Sequence, residues 1–178
     1  MVHFLVLLAF TSLDQTFRLF TKDRFAMPSS ETGFVLMFIG VASAFVQGGI
    51  LRPLAKHYAE PALIQSGTLL QALGFVLLAF SPHMGRPALL LAGAILALGN
   101  GLTQPSLPSW ISKQAPPHAL GETLGTQQAI ASLARMFGPA LSGYLYSTWS
   151  AQAPYFSAAL WLLLAMRYVG KLAANKIQ

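Results

Sequence analysis

Asp14 is the residue with the clearest capacity for chemistry, because it sits inside an otherwise apolar stretch at roughly 3–21. Counted from residue 3, it lies about 16 Å along a helix, near the middle of a hydrocarbon layer about 30 Å thick. A carboxylate at that depth is costly and usually faces a protein interior or a water-filled cavity. Two roles fit it. It binds a proton or a cationic substrate and changes protonation, or it pairs with Arg18 one turn later and only fixes the helix. Arg135 offers a second partner: it lies about 20 Å along a later stretch that runs in the same direction. The two are therefore predicted to share a depth. Arg135 then acts as a counter-ion that Asp14 releases on protonation, as a static structural pair, or as a snorkelling cation. The sequence alone leaves Arg18 and Arg135 in competition.

Other polar groups are weaker signals. Asn100 and Gln104 are four apart and share a helix face. They line a cavity or make a helix–helix hydrogen bond, worth about 0.6 kcal/mol on average in membranes. Gln47, Gln71, Gln127 and Gln128 read as packing groups more readily than as ligands. Gly121, Gly125, Gly138 and Gly143 permit close backbone contact, and Pro139 supplies a bend, whether for gating or for plain packing. Glu122 falls near a helix N-terminus, where negative charge is favoured.

Several chemistries find no residues to support them. There is no cysteine, hence no disulfide, thiolate nucleophile or thiolate metal site. The four histidines, His3, His57, His83 and His118, are scattered, without the spacing of a metal site. No nucleophile–base constellation and no cofactor box is visible, so the chain is not read as an enzyme.

The elements that must hold these residues are six nearly uncharged stretches, roughly 3–21, 32–51, 61–81, 87–106, 122–146 and 153–170. Each is about long enough to span a bilayer as a helix. Residues 32–51, 61–82 and 87–112 contain no Asp, Glu, Lys, Arg or His. Of the 178 residues, 54% are hydrophobic and 9% charged, against about 25% charged in a soluble domain, so too little charge remains to coat a soluble surface. The chain is predicted to be a single all-α membrane domain over residues 1–178. Residues 1–15 resemble a signal peptide in apolarity, but no Lys or Arg precedes the run and no small-residue cleavage site follows it.

Between these stretches the sequence predicts a polar link from Thr21 to Thr32, with Ser30 or Thr32 as helix N-cap. It also predicts a basic loop from Arg52 to Glu60, a breaker-rich turn at Ser81–Pro87, a second basic loop at about 107–121 and a turn at Ser147–Pro154. Gly40, Ala44, Gly48 and Gly49 are expected to let a neighbour approach the second helix. Tyr144, Tyr146, Trp149 and Tyr155 are expected to form an interfacial belt. The net charge of +6 is spread through loops and helix ends rather than gathered into a nucleic-acid patch. With both termini cytoplasmic, that side carries Arg52, Lys56, Lys113, Lys171 and Lys176, with Arg167 close by. Lys22, Arg24, Arg86 and nearby Arg18 fall opposite, the sense that the positive-inside rule favours.

The stretch from Gly99-Asn-Gly-Leu-Thr-Gln-Pro105 through Trp110, Pro116-Pro117 and Gly121 to Gly125 resembles the major facilitator superfamily: the end of its tenth helix, the following loop and the start of its eleventh. Arg135-Met-Phe-Gly138-Pro139-Ala-Leu-Ser-Gly143 resembles the Gly-Pro segment of that eleventh helix, with Ser142 in place of the first of the usual paired glycines. Phe20-Thr-Lys-Asp-Arg-Phe25 followed by Gly33-Phe is similar to the drug:proton antiporter branch that includes tetracycline exporters. The segment from Gly49 to Pro61 lacks the Asp, later Gly and Arg of that family's loop motif, so gating arguments built on the motif do not transfer.

The resemblance implies the C-terminal six helices of a twelve-helix fold, themselves a 3+3 inverted repeat. It implies secondary transport of a small molecule by alternating access, with efflux coupled to protons, in a bacterial inner membrane and without a cofactor. Asp14, Arg18, Asn100, Gln104 and Arg135 become candidates for the substrate and proton pathway. Gly125, Gly138, Pro139 and Gly143 become candidates for packing and gating against the other half. The expected partners are the lipid bilayer, the substrate with protons, and an N-terminal six-helix half or a second copy. As an alternative, the chain is a fragment, a truncated frame or a half-size protein that does not transport alone.

Overall fold

The structure, a computed structural model, describes residues 1–174. Six long helices account for it: α1 (Val2–Phe25), α2 (Ser29–His57), α3 (Glu60–Met84), α4 (Arg86–Gln114), α5 (Leu120–Thr148) and α6 (Ala153–Ala174). Each contains one of the expected stretches. Five are long and apolar enough to cross a membrane by themselves; α5, the helix with Gln127, Gln128 and Arg135, is not among them. Lys176, counted above among the cations of one side, lies outside the described residues.

The helices overrun their expected ends, so the links shrink. The Thr21–Thr32 link reduces to residues 26–28, where Ala26 takes a left-handed conformation (φ 51°) and its N–H reaches the Lys22 carbonyl. Pro28, not Ser30 or Thr32, precedes the first turn of α2. Thr32 instead places its hydroxyl 2.8 Å from that of Thr21, joining α2 to α1. The expected loop at 52–60 is helical as far as His57, through Pro53. The expected turn at 81–87 narrows to Gly85, and α4 continues through Pro105 and Pro108 to Gln114. A short 3₁₀ segment, Pro117–Ala119, then leads into α5. Within α2, residues Val46–Ile50 form a π-helical turn that accommodates one residue more than an α-helix would.

The packing carries a twofold pattern. Helix α1 lies against α5 and α6, and α4 lies against α2 and α3, while α3 and α6 meet each other. Exchanging the first three helices with the last three turns α1–α5 into α4–α2 and α1–α6 into α4–α3, and leaves α3–α6 as it is. That is the pattern of an inverted 3+3 repeat.

In lipid, helices gain little from burying apolar surface and instead associate through close packing and polar contacts. The α3–α4 seam shows how. A Cβ added at Gly99 would come within 2.6 Å of the Gly67 carbonyl and 2.7 Å of the Gln71 backbone N. The α2–α4 seam repeats this at Gly101, where a Cβ would stand 2.6 Å from Val46 Cβ, and Ser43 donates to the Ala97 carbonyl at 3.2 Å. Tyr155 lies fully buried at the centre, edge-on to Phe20 with centroids 4.8 Å apart and stacked on Phe75 at 6.4 Å. It is a core residue rather than a member of an interfacial belt, because its ring faces α1 and α3. Tyr144 and Trp149 are exposed as expected.

Polar clasps tie the helix ends. Tyr146 donates to Asp23 at 2.6 Å, joining α5 to α1, and Arg86 meets Glu31 at 3.3 Å, joining α4 to α2. At the opposite end Lys113 and Ser109 of α4 both reach Glu60 of α3.

Candidate functional site

Helix α1 carries one stripe that is packed against α5 at Leu7 and opens further along the helix. His3 and Leu7 begin it; Asp14 lies seven residues beyond Leu7, and Arg18 one turn further, so all four share a helix face. Asp14 and Arg18 are exposed. On α5 the matching stripe is Leu124, Gln128 and Arg135, and on α4 it is Asn100, Gln104 and Pro108. These stripes converge on a groove of about 330 Å³ lined by His3, Leu7, Gln104, Pro108, Leu124, Gln127, Gln128 and Arg135. Asn100, half-buried, lies one turn from Gln104 on the side away from Pro108.

The structure separates Asp14 from Arg135, one of the two partners that the sequence leaves in competition for it. Helices α1 and α5 run parallel, and their register is fixed by two contacts: Leu7 packs on Ala131 and Ala134, and Thr11 fills the space beside Gly138. Arg135 is therefore level with about residue 8 of α1. Asp14 is six residues further on, an axial offset of about 9 Å. Among the described residues, the ion pairs are Arg86–Glu31 and Lys113–Glu60; Asp14 closes on neither Arg18 nor Arg135. The expectation of equal depth fails because it counted both helices from assumed membrane entries, whereas the Thr11–Gly138 contact sets their actual stagger. Arg135 instead belongs with His3 and the glutamines.

The small residues divide as well. Gly138 makes the close approach expected of it, since a Cβ there would overlap the Thr11 hydroxyl. Gly121, Gly125 and Gly143 meet nothing within 4 Å, nor do Gly40 and Gly48 on α2. Within this chain they therefore pack no neighbour; they lie on faces that the other five helices leave uncovered. Pro139 sits inside a continuous α5, and Ser142, the residue in place of the usual glycine, donates to its carbonyl at 3.2 Å.

Sequence reasoning missed His3 and undervalued Gln127 and Gln128. The signal was present in the spacing of His3, Leu7, Asp14 and Arg18, which puts a polar stripe on a single face. Gln71, by contrast, is buried in the α3–α4 seam, 1% exposed, away from the groove.

Residues 1–174 match the family model of the Major Facilitator Superfamily. The chain belongs to this superfamily. It lies near the tetracycline-exporter branch. The class C tetracycline resistance protein of Escherichia coli is 32% identical over 151 residues, covering 82% of this chain and 37% of that protein. The class D protein of Salmonella ordonez is 31% identical, covering 82% of this chain and 35% of its own length. Human major facilitator superfamily domain-containing protein 10 is 27% identical over 173 residues, covering 97% of this chain and 37% of that protein. The chain thus spans little more than a third of the relatives it matches. As a member of the major facilitator superfamily it is an integral membrane protein of a transporter family, and its six helices form half of that family's fold.

Proposed function

We propose that this chain is the C-terminal half of a secondary transporter that exports a small molecule in exchange for protons. The observation that carries the reading is the polar stripe over α1, α4 and α5, with three charges, Asp14, Arg18 and Arg135, and several amides on helices whose other open faces carry Leu and Phe. Charged groups inside membrane helices belong on an aqueous pathway. The similarity to proteins named for tetracycline resistance supports drug efflux as the direction.

In this reading Asp14 takes up and releases the proton. It needs no arginine as a fixed partner, so its protonation is free to follow the side of the membrane it faces. Arg135, with Gln104, Gln127, Gln128 and His3, holds an anionic or carbonyl-rich part of the substrate nearer the start of α1. Both termini lie in the cytoplasm of a bacterial inner membrane, which sets Arg52, Lys56, Lys113, Arg167 and Lys171 on the inside. The other wall is a second six-helix half, and the uncovered small residues of α2 and α5, helices related by the internal twofold, are where it docks.

Asp14→Asn in the assembled transporter tests the coupling. Proton-driven efflux into inverted vesicles falls at least tenfold while the protein stays in the membrane. Unchanged efflux at matched protein level removes Asp14 from the mechanism. The alternative, a piece that does not transport, rests on the same uncovered faces. It predicts that the chain co-purifies with another six-helix polypeptide without conferring any flux.

A further inference from the structure

At the end of the bundle where α1 begins and α4 ends there is a second, larger cavity of about 580 Å³. It is a wedge between α5 and α6, which diverge from their shared turn at residues 149–152. Its inner walls are apolar: Leu107, Trp110 and Ile111 from α4 and Ile130 from α5. Its mouth is polar, with the Met1 ammonium, Gln114, Glu122, Thr123 and Thr126. Glu122 and the ammonium bring opposite charges there, so the mouth favours neither sign. Ile130 lies eight residues beyond Glu122, about 12 Å deeper along α5. Thr126, Tyr168 and Leu172 are exposed on the outward side, where a gap between two membrane helices meets lipid. Two residues, His3 of α1 and Gln127 of α5, line both this wedge and the groove of about 330 Å³ described above. Their side chains stand between the two cavities.

We propose that the wedge is a side entrance to the groove, through which the transported molecule passes from the bilayer, with His3 and Gln127 as its door. The inference rests on the transport reading above and adds where the substrate comes from. In the orientation given there, the wedge opens on the inner leaflet. Its volume falls in the range of about 300–1,000 Å³ typical of small-molecule sites, so a substrate fits inside it. His3 Nδ1 and Gln127 Oε1 are buried without a hydrogen-bond partner. Unpaired buried polar atoms disfavour the arrangement that holds them, and no bond at either atom keeps the door shut. A charged molecule would lose its hydration against Leu107, Trp110 and Ile130. A molecule already dissolved in the bilayer has none to lose. The substrate therefore enters in an uncharged, lipid-soluble form. Of the two classes that Arg135 and the amides accept, this selects the carbonyl-rich one over the anionic one.

The chain has no cysteine, so Gln104→Cys places a single thiol of this chain in the groove. The test compares how fast two reagents reach it in the whole protein in inverted membrane vesicles, with labelling of the protein lacking that cysteine subtracted. N-(1-pyrenyl)maleimide travels in the bilayer; the charged 2-sulfonatoethyl methanethiosulfonate travels in water. Ile130→Trp, which fills the wedge, is expected to slow the pyrenyl reagent at least tenfold and to leave the sulfonate rate unchanged. Gln127→Ala, which removes half of the door, is expected to speed the pyrenyl reagent. A pyrenyl rate untouched by Ile130→Trp overturns the proposal, because the apolar reagent then reaches the groove another way. If Ile130→Trp slows both reagents, Thr126→Trp at the exposed mouth decides. Selective slowing of the pyrenyl reagent there upholds the side entrance; equal slowing means one aqueous route and overturns it. Labelling reads passage without flux, so its failure is distinct from a failure of the Asp14→Asn efflux test.

Discussion

Thr11 of α1 occupies the space that a side chain at Gly138 of α5 would need. This contact sets the stagger of the two helices, and with it the depth of every charge they carry. Gly138→Ala forces Thr11 or the backbone to move, a strain of about 1–3 kcal/mol. The melting temperature of the detergent-solubilised protein is expected to fall. Thr11→Ala, which removes the obstructing hydroxyl but keeps a Cβ 2.7 Å from the new one, is expected to restore part of it in the double variant. A double variant no better than Gly138→Ala alone would mean that Thr11 is not the obstacle.

Because Asp14 and Arg135 are about 9 Å apart along the axis, their contributions to efflux are expected to be independent. In a double-mutant cycle with Asp14→Asn and Arg135→Gln, the free-energy effects on transport add to within about 0.5 kcal/mol. A coupling well beyond that would favour a direct Asp14–Arg135 pair, one of the two that the sequence leaves open.

Gly143→Val tests the uncovered faces. A side chain at Gly143 meets nothing within this chain, so the melting temperature of the isolated six-helix unit is expected to hold. Assembly with a second half, read by co-purification, is expected to fail. A lowered melting temperature of the unit alone would give Gly143 an internal packing role.

Ala26 supplies a backbone prediction. It is the non-glycine residue with positive φ among the described residues, in a conformation that glycine adopts without penalty. Ala26→Gly is expected to stabilise the α1–α2 turn by up to about 1 kcal/mol. A lowered melting temperature would show that the gain in chain entropy of the unfolded state outweighs the relief of strain.

The six helices were legible because spans without charge admit few other readings in a chain so poor in polar residues. Their ends were not. Pro53, Pro82, Pro105 and Pro108 look like breakers, yet all four lie inside helices. Ser30 and Thr32 look like caps, but the hydroxyl of Thr32 is used across helices, on Thr21. Residue types alone singled out Asp14 and Arg135, and both fall on the polar stripe. Their relation was beyond reach, because stagger is decided by a long-range fit between a threonine and a glycine that no local pattern announces. His3 was passed over for a related reason: one imidazole near a chain start carries no spacing of its own until the stripe through Leu7 and Asp14 is drawn.

The π-helical turn at Val46–Ile50 leaves α2 holding one residue in surplus. Val46, its first residue, is pinned against Gly101, and the segment after the turn points its side chains as though one residue had been skipped. The turn is thus a natural splice point. Removing Gly48 or Gly49 should straighten α2 into a plain helix without turning Leu51–His57 to a new heading, whereas the same single-residue deletion at Ala42 should rotate everything that follows by about 100°. Length can be edited at one address in this helix and nowhere near its neighbour.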